Sequence, residues 1–263
     1  MCRHLGYLGP PVSVTELVIS PPHGLYTQSW APRRQVYGAV NADGYGFGWY
    51  PGGAASAEEP ARYRRNVPIW ADPNLPEMAR AIRSHAVLAA VRSATPGTGQ
   101  DETGAAPFRD GRFLFSHNGV IPSWIDLPAD LAPTIPPLTP AELLSLESRN
   151  DSALLWLLVY RELRRGGAPD EALGTVIRHV ADVRPTARLN MLLTDGRSIV
   201  ATRFGDTLWY RTGAASALVA SEPDDDQPDD WREVPENTLL LVTEGGVVRT
   251  TPLQASYGVA AEK

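Results

Sequence analysis

The sequence predicts an α+β fold in which two antiparallel sheets are covered by helices. Apolar runs bounded by Gly and Pro, typical of strands, occupy the first and last thirds of the chain, and two long helical patterns lie between them. Strands and helices do not alternate regularly, as they would around a parallel sheet, and no internal repeat is found. The pairs Asp195-Gly196 and Gly245-Gly246 instead predict tight hairpins, which join antiparallel strands.

The composition is that of an ordinary globular protein. The chain has 263 residues, of which 43% are hydrophobic and 21% charged, so it can bury a sizeable core. A net charge of −6 does not attract phosphate backbones, and we therefore expect no nucleic-acid partner. No run of about 18 apolar residues and no signal-peptide pattern is found, so we expect neither membrane insertion nor export. A single cysteine fits a reducing compartment and predicts a cytoplasmic location.

The first third of the chain predicts strands that end in loops. The runs are "HLGYLG", "GYGFGWYPGG", "VLAAVRSATPG" and "RFLFSHNG". The segment "LPEMARAIRSH", which lies between the second and third runs, has helical spacing.

The middle of the chain predicts a connection followed by two helices. Residues 122–140 include six prolines, which lack an amide donor, so we expect an irregular surface connection. It ends at a helix start, because Thr139 and Glu142 form a capping-box pattern with Pro140 at the first helical position. The two long helices are predicted over "DSALLWLLVYRELRRGG" and "DEALGTVIRHVADV".

The last third predicts strands again. "ARLNMLLTDGRSIVATRFG" and "TLLLVTEGGVVRTT" each contain two β-rich runs around one of the tight-turn pairs. The acidic, Pro-interrupted run "EPDDDQPDDW" has two interpretations, a solvated loop or a partner-binding segment, and the pattern favours the loop.

The position of the single cysteine, Cys2, directly after Met1, suggests chemistry. A lone thiol is commonly inert. If Met1 is removed, however, Cys2 carries both a nucleophilic thiol and a free α-amine, whose unperturbed pKa of about 8 makes it a usable base at neutral pH. With Met1 retained, the amine is a peptide nitrogen and this base is lost.

The segment "SHNG" at the end of a predicted strand offers an oxyanion hole. Asn118 can donate from its side-chain amide, and Gly119 permits close approach of a substrate to the backbone. The alternative is that these residues form an ordinary turn.

Two charged residues also suit substrate binding. Arg92 ends an apolar strand, so it lies either at the open end of the strand or beside a carboxylate partner. Its planar guanidinium is suited to a substrate carboxylate. Asp151 starts a predicted helix and is either a plain cap or a contact for a substrate ammonium.

These segments, in this order, resemble the active-site set of a known family. Cys2, "VRSATPG", "SHNG" and "SRNDSALL" are similar to the motifs of the class II glutamine amidotransferase domains of the N-terminal-nucleophile hydrolase superfamily. The segments "MCRHLGYLG", "APRRQ", "NADGYGFGWY" and "VASEP" resemble more narrowly the γ-glutamyl-hercynylcysteine sulfoxide hydrolases of ergothioneine biosynthesis. The resemblance extends over essentially the whole chain. It implies a four-layer αββα sandwich and a single domain over residues 2–263.

The resemblance also implies a role for each candidate residue. It assigns Cys2 as nucleophile and, through its α-amine, as base; Asn118 and Gly119 as the oxyanion hole; Arg92 and Asp151 as ligands of the α-carboxylate and α-ammonium of a γ-glutamyl group; and Thr95 and His117 as further substrate contacts. The chain departs from the family at Ser93, where an aromatic residue is common, and at Asn150, where serine or cysteine is more usual.

The implied reaction is hydrolysis of a small γ-glutamyl amide through a thioester on Cys2, without a metal or organic cofactor. The five histidines (His4, His23, His85, His117, His179) are scattered without ligand spacing. Two alternatives remain: a glutaminase subunit that supplies ammonia to a separate synthase, and a catalytically idle fold that acts as a binding module. The sequence leaves open whether copies of the chain form a homo-oligomer.

The substrate implied by the narrower resemblance carries a trimethylammonium group. In "GYGFGWY", Tyr45, Phe47 and Trp49 alternate with glycine, so their side chains share one face of a strand. They form either a cation–π surface or part of the core, and packing is the commoner role. Similarly, "APRRQ" and "RYRRN" either contact the sulfoxide or a carboxylate, or lie in solvated loops, which the pattern favours.

Overall fold

The computed structural model describes residues 2–38, 40–53, 56, 58–95, 97–99 and 101–253. Met1 lies outside the described residues, as do residues 254–263, which belong to the domain expected over residues 2–263. The strands are β1 (Arg3–Ser13), β2 (Tyr45–Trp49), β3 (Ala61–Arg65), β4 (Arg83–Val91), β5 (Phe108–Asp110), β6 (Phe113–Val120), β7 (Arg188–Thr194), β8 (Ser198–Arg203), β9 (Trp209–Thr212), β10 (Ala217–Ala220), β11 (Arg232–Glu233), β12 (Thr238–Thr243) and β13 (Val248–Pro252). The helices are α1 (Leu25–Gln28), α2 (Leu75–Ala81), α3 (Leu127–Leu131), α4 (Pro140–Leu144), α5 (Asp151–Arg164) and α6 (Pro169–Val183).

The strands form two antiparallel sheets. The first has the order β11-β9-β10-β1-β4-β2-β3, and the second has the order β13-β12-β8-β7-β6-β5. The strand β1, which begins directly after Cys2, lies at the centre of the first sheet between β10 and β4. The end of β10 therefore lies beside the start of β1.

Three apolar clusters define four layers. One cluster packs α1 and α2 against the outer face of the first sheet, and another packs α3, α5 and α6 against the outer face of the second. The third fills the space between the sheets, where Leu8 and Leu88 meet Leu192 and Leu240. This arrangement confirms the predicted α+β fold and the four-layer αββα sandwich.

The hairpins and long helices predicted from the sequence are confirmed. Gly196, between β7 and β8, has a φ of +84°, and Gly246, between β12 and β13, has a φ of +73°, which glycine adopts without a steric penalty. The helices α5 and α6 occupy the two predicted segments. The earlier predicted helix, α2, ends at Ala81, and the chain then enters β4.

The Pro-rich connection is more ordered than the sequence predicts. Within residues 122–140 the short helix α3 buries Leu127 and Leu131 against the helical layer, so the segment is not irregular throughout. The predicted capping box is present: Thr139 Oγ1 accepts the backbone N–H of Glu142, whose carboxylate accepts the N–H of Thr139. The helix that it starts, α4, is only five residues long.

The prediction of a solvated acidic loop is wrong for four residues of the run 222–231. Glu222, Pro223, Asp224 and Trp231 are buried. Glu222 pairs with Arg3 at 3.3 Å and has no exposed surface. A carboxylate in that position is stable because hydrogen bonds and a nearby cation replace its hydration.

The two arginine-rich segments are also not simple solvated loops. "RYRRN" contains β3, and its Arg62 and Arg64 pair with Glu147 at 2.8 and 3.0 Å. In "APRRQ", the backbone N–H groups of Arg33 and Arg34 donate to Glu222 at 2.9 and 2.7 Å. Both segments thus have structural partners.

None of the described helices is both long and apolar enough to cross a membrane.

Candidate active site

One pocket brings together six of the seven predicted site residues. It lies where the start of β1, the end of β4, the strand β6 and the first turn of α5 meet, and its empty volume is about 440 Å³ including the open mouth. The predicted residues that line it are Cys2, Arg92, Thr95, His117, Gly119 and Asp151. The seventh, Asn118, lies between His117 and Gly119 in β6 and is fully buried.

Cys2 is half-buried at the edge of the pocket. Its Sγ lies 4.0 Å from the backbone oxygen of Ser93. Burial raises the pKa of the Cys2 thiol above its usual value, although the positive charge of Arg92 acts in the opposite direction. Because a neutral thiol is a weak nucleophile, the site requires a base that removes this proton during the reaction.

Arg92 lies at the end of β4 and has no carboxylate partner among the described residues. Its backbone N–H donates to Gly44 O, and its carbonyl oxygen accepts the N–H of Asp43. Its guanidinium donates to Gly99 O at 2.8 Å and to Thr98 Oγ1 at 3.3 Å. Because its partners are neutral oxygens, this buried guanidinium can bind an anionic ligand without first breaking an ion pair.

Gly104 packs directly against Arg92, which the sequence did not indicate. A Cβ at Gly104 would lie 2.8 Å from Arg92 Cζ, so only glycine permits this contact. The carbonyl oxygen of Gly104 accepts a bond from Asn150 Nδ2 at 3.3 Å. The Arg92 guanidinium therefore packs against the backbone at Gly104, which Asn150 at the start of α5 helps to position.

Asp151 is not the cap of its helix, because Asn150 has that role. Asn150 Oδ1 accepts the N–H of Ala153 at 2.7 Å, which is an N-cap bond. Asp151 is the first residue of α5, and its carboxylate accepts the N–H groups of Ile121 at 3.1 Å and Ser152 at 2.9 Å. It is buried and forms no ion pair with another described residue, so its negative charge is available to a cation in the pocket.

The "SHNG" segment lies within strand β6, so the alternative of a turn is wrong. A Cβ on Gly119 would lie 1.9 Å from the carbonyl oxygen of Arg188 on β7, and no other residue type fits there without moving the strands. Asn118 Nδ2 donates to Ser221 Oγ at 3.4 Å. Alternation along the strand places Asn118 on the face that looks into the space between the sheets.

His117 has protein partners at both ring nitrogens. Nε2 lies 2.9 Å from the carbonyl oxygen of Arg188, which can only accept, so we assign the ring proton to Nε2. Nδ1 then accepts the hydroxyl of Ser152 at 3.0 Å. In this arrangement His117 ties β6 to β7 and to α5 while its ring lines the pocket.

Thr95 lines the pocket through its position in the loop after Arg92. Its carbonyl oxygen accepts the hydroxyl of Thr98 at 2.7 Å, and that hydroxyl in turn accepts from the Arg92 guanidinium. Thr95 therefore helps to shape the loop that surrounds Arg92.

The aromatic face of β2 belongs to the core. Tyr45 and Phe47 are 1% exposed, and Phe47 contacts the rings of Trp49 and Tyr63. These side chains pack with α1 and α2 on the outer side of the first sheet. Of the two interpretations, packing is therefore correct.

Comparison with known proteins adds three findings. A family profile described as "Glutamine amidotransferases class-II" matches residues 23–215. The chain is 42% identical over 250 residues to the "Gamma-glutamyl-hercynylcysteine sulfoxide hydrolase" of Mycobacterium tuberculosis, covering 95% of this chain and 96% of that protein. It is 41% identical over 253 residues to the protein of the same name from Mycolicibacterium smegmatis, covering 96% of this chain and 100% of that protein.

A solved structure has the same fold. The B. subtilis glutamine phosphoribosylpyrophosphate amidotransferase superposes with a TM-score of 0.67 at 14% identity, over 96% of this chain and 49% of that chain. At this identity the likeness concerns the fold alone. This chain therefore corresponds to about half of that larger enzyme.

Proposed function

Because this chain belongs to the class II glutamine amidotransferases, we propose that it hydrolyses the γ-glutamyl amide bond of γ-glutamyl-hercynylcysteine sulfoxide, releasing glutamate and hercynylcysteine sulfoxide. The two mycobacterial relatives that bear the name of this hydrolase match over nearly their whole length. By the same likeness, the proposal places the protein in ergothioneine biosynthesis.

The observation that carries the proposal is a pair of opposite, unpaired charges beside a thiol. The Arg92 guanidinium and the Asp151 carboxylate both line the pocket of Cys2, and neither forms an ion pair with another described residue. The α-carbon of a γ-glutamyl group carries a carboxylate and an ammonium, which complement these two charges. When Arg92 binds the α-carboxylate and Asp151 binds the α-ammonium, the α-carbon of the γ-glutamyl group is held in place. The γ-carbonyl, at the other end of the side chain, then extends away from these two residues.

The first half of the reaction forms a thioester. After Met1 is removed, the α-amine of Cys2 takes the thiol proton while Sγ attacks the γ-carbonyl carbon. The carbonyl oxygen becomes an oxyanion that accepts N–H groups from the Asn118 side chain and the Gly119 backbone. The protonated α-amine of Cys2 then gives its proton to the nitrogen of the substrate amide. The C–N bond breaks, and the amine leaves.

The second half restores the enzyme. Water attacks the γ-glutamyl thioester and gives a proton to the α-amine of Cys2, while the same oxyanion hole stabilises the second tetrahedral intermediate. The C–S bond breaks, the thiolate regains a proton, and glutamate is released. No redox change and no added cofactor is needed for this balance.

The test is glutamate release from γ-glutamyl-hercynylcysteine sulfoxide and from glutamine in parallel, with the N-terminus of the protein defined by intact mass. We expect rapid release from the first substrate, slow release from the second, and none above background with Cys2→Ala. Preference for glutamine would instead support a glutaminase that supplies ammonia. Activity of Cys2→Ala within about tenfold of wild type would overturn the mechanism.

A further inference from the structure

We propose that Ser221 positions the oxyanion-hole amide of Asn118 and connects it to β1, the strand that begins directly after the nucleophile. Ser221 directly follows β10, and no part of it is exposed. The inference rests on the proposed function, since the oxyanion hole belongs to that mechanism. It makes Ser221 a positioning residue that acts through Asn118.

The Ser221 hydroxyl bridges two catalytic segments. It accepts the backbone N–H of His4 at 3.0 Å and donates to the carbonyl oxygen of the same residue at 3.3 Å. It also accepts Asn118 Nδ2 at 3.4 Å. His4 lies two residues after Cys2, in the strand that follows the nucleophile, so one hydroxyl connects this strand with the oxyanion amide.

This hydroxyl determines which way the Asn118 amide faces. A serine has one proton to donate, and that proton goes to His4 O, so the hydroxyl presents a lone pair to Asn118. Only the NH₂ end of the amide can satisfy a lone pair. One N–H of Nδ2 is then used by Ser221, and the second remains for an oxyanion.

No other contact among the described residues fixes that amide. Asn118 Oδ1 is buried and has no hydrogen-bond partner there. Without Ser221 Oγ, rotation of the amide by half a turn would exchange a donor for an acceptor at the oxyanion. An acceptor at that position would repel the charge that develops in the transition state.

The bond to Asn118 is also distinct from the bonds that hold the first sheet together. The backbone N–H of Ser221 already donates to His4 O at 3.0 Å, which continues the pairing of β10 with β1. Within the described parts of the chain, the side-chain bond of Ser221 to Asn118 is the one that crosses to the second sheet. Removal of the hydroxyl should therefore affect the oxyanion hole more than the sheet.

The first test is Ser221→Ala with the γ-glutamyl substrate. We expect kcat to fall by about tenfold to a hundredfold with KM within about twofold of wild type, because Arg92 and Asp151 are untouched. The matched control is Ser84→Ala. Ser84 is also buried, and its hydroxyl bonds the N–H and carbonyl of Tyr50 at the far end of β4 from the pocket, so kcat should not change.

A double-mutant cycle with Asn118→Ala separates positioning from general destabilisation. If Ser221 acts through Asn118, Ser221→Ala should cost less than about threefold in kcat once Asn118 is already alanine. A full, additive loss in that background would overturn the proposal. If Ser221→Ala does not fold, Ser221→Cys, which keeps the volume but bonds weakly, takes its place in the same cycle.

A substrate-free measurement keeps this inference separate from the proposed function. The side-chain NH₂ resonances of Asn118 can be identified by their loss in Asn118→Ala. We expect them to be protected from solvent exchange in wild type and in Ser84→Ala, and to exchange at least about tenfold faster in Ser221→Ala. Unchanged exchange would overturn the role of Ser221, whereas a wild-type protein inactive on γ-glutamyl amides would overturn only the proposed function.

Discussion

Arg92 and Asp151 are buried charges that have no oppositely charged partner among the described residues, and this is unusual for a folded protein. They are 5% and 3% exposed. A buried charge is normally stabilised by an ion pair, because loss of hydration is costly. Here neutral carbonyl, hydroxyl and amide groups provide partial compensation, so a zwitterionic ligand would complete the stabilisation of both residues at once.

At the residue scale, replacing Arg92 by lysine tests carboxylate binding. Lysine keeps the charge but loses the planar fork, so we expect KM to rise about tenfold to a hundredfold while kcat stays within about threefold. Steady-state kinetics of glutamate release measure both constants. Arg112→Lys is the control, because Arg112 pairs with Asp195 at the surface and should leave KM unchanged. A fall in kcat at unchanged KM would contradict the assignment.

The first turn of α5 is the element that organises one side of the pocket. Asn150 caps the helix and bonds Gly104, which packs on the Arg92 guanidinium. Asp151 follows with its carboxylate in the pocket, and Ser152 donates to His117. Three consecutive residues thus set the helix start, the negative charge and the orientation of the imidazole.

At the element scale, Asn150→Ala should change both stability and binding. Loss of the cap should lower the free energy of unfolding by about 1 kcal/mol. KM should rise by about threefold or more, because Asp151 and Gly104 lose a common support. Urea unfolding and steady-state kinetics measure the two effects.

The control for this prediction is Thr139→Ala, which removes a comparable cap from α4, a helix with no residue in the pocket. It should lower stability without changing KM. Equal effects of the two variants on KM would show that the cap at Asn150 has no special connection with the site.

The whole molecule is a sandwich in which the space between the two sheets is apolar at its centre and polar near the site. Between the sheets, the cluster around Leu88 and Leu192 is apolar. Nearer the pocket, the space between the sheets contains two buried polar side chains, His4 and Asn118. His4 Nδ1 lies 2.8 Å from Ser116 Oγ. Burial lowers the pKa of His4 to about 3, so the imidazole is neutral in the folded protein at any pH near neutrality.

At the scale of the whole molecule, His4 predicts destabilisation by acid. In the unfolded chain the imidazole binds a proton as the pH falls through about 6.5, whereas in the folded protein it does so only near pH 3. The unfolded state therefore takes up the extra proton, and stability should decline over this interval by at most about 1.4 kcal/mol per pH unit. Urea unfolding at pH 7 and pH 5 measures the slope. His4→Asn should reduce it, and an equal slope in both proteins would refute this account.

By itself, the sequence determined those features that depend on neighbouring residues. Apolar runs bounded by Gly and Pro located the main strands, and helical patterns located α5 and α6. The pairs Asp195-Gly196 and Gly245-Gly246 located two hairpins. Local motifs also singled out Cys2, Arg92 and Asp151, because each stands at the beginning or end of an element, where side chains reach a pocket. These signals are local, so a single sequence contains them.

Only the tertiary structure decided which of these residues meet and what supports them. Glu222 belongs to an acidic run that predicts a solvated loop, yet it is buried against Arg3, 219 positions away in the chain. Ser221 lies in the resembling segment "VASEP", but no local pattern indicates its contact with Asn118 on another strand. Gly104 has no local signal, because its contact is with Arg92, which also lies on another element. Hydrophobic pattern and turn chemistry act between near neighbours, whereas the partner of a buried polar group is selected by the packing of distant segments.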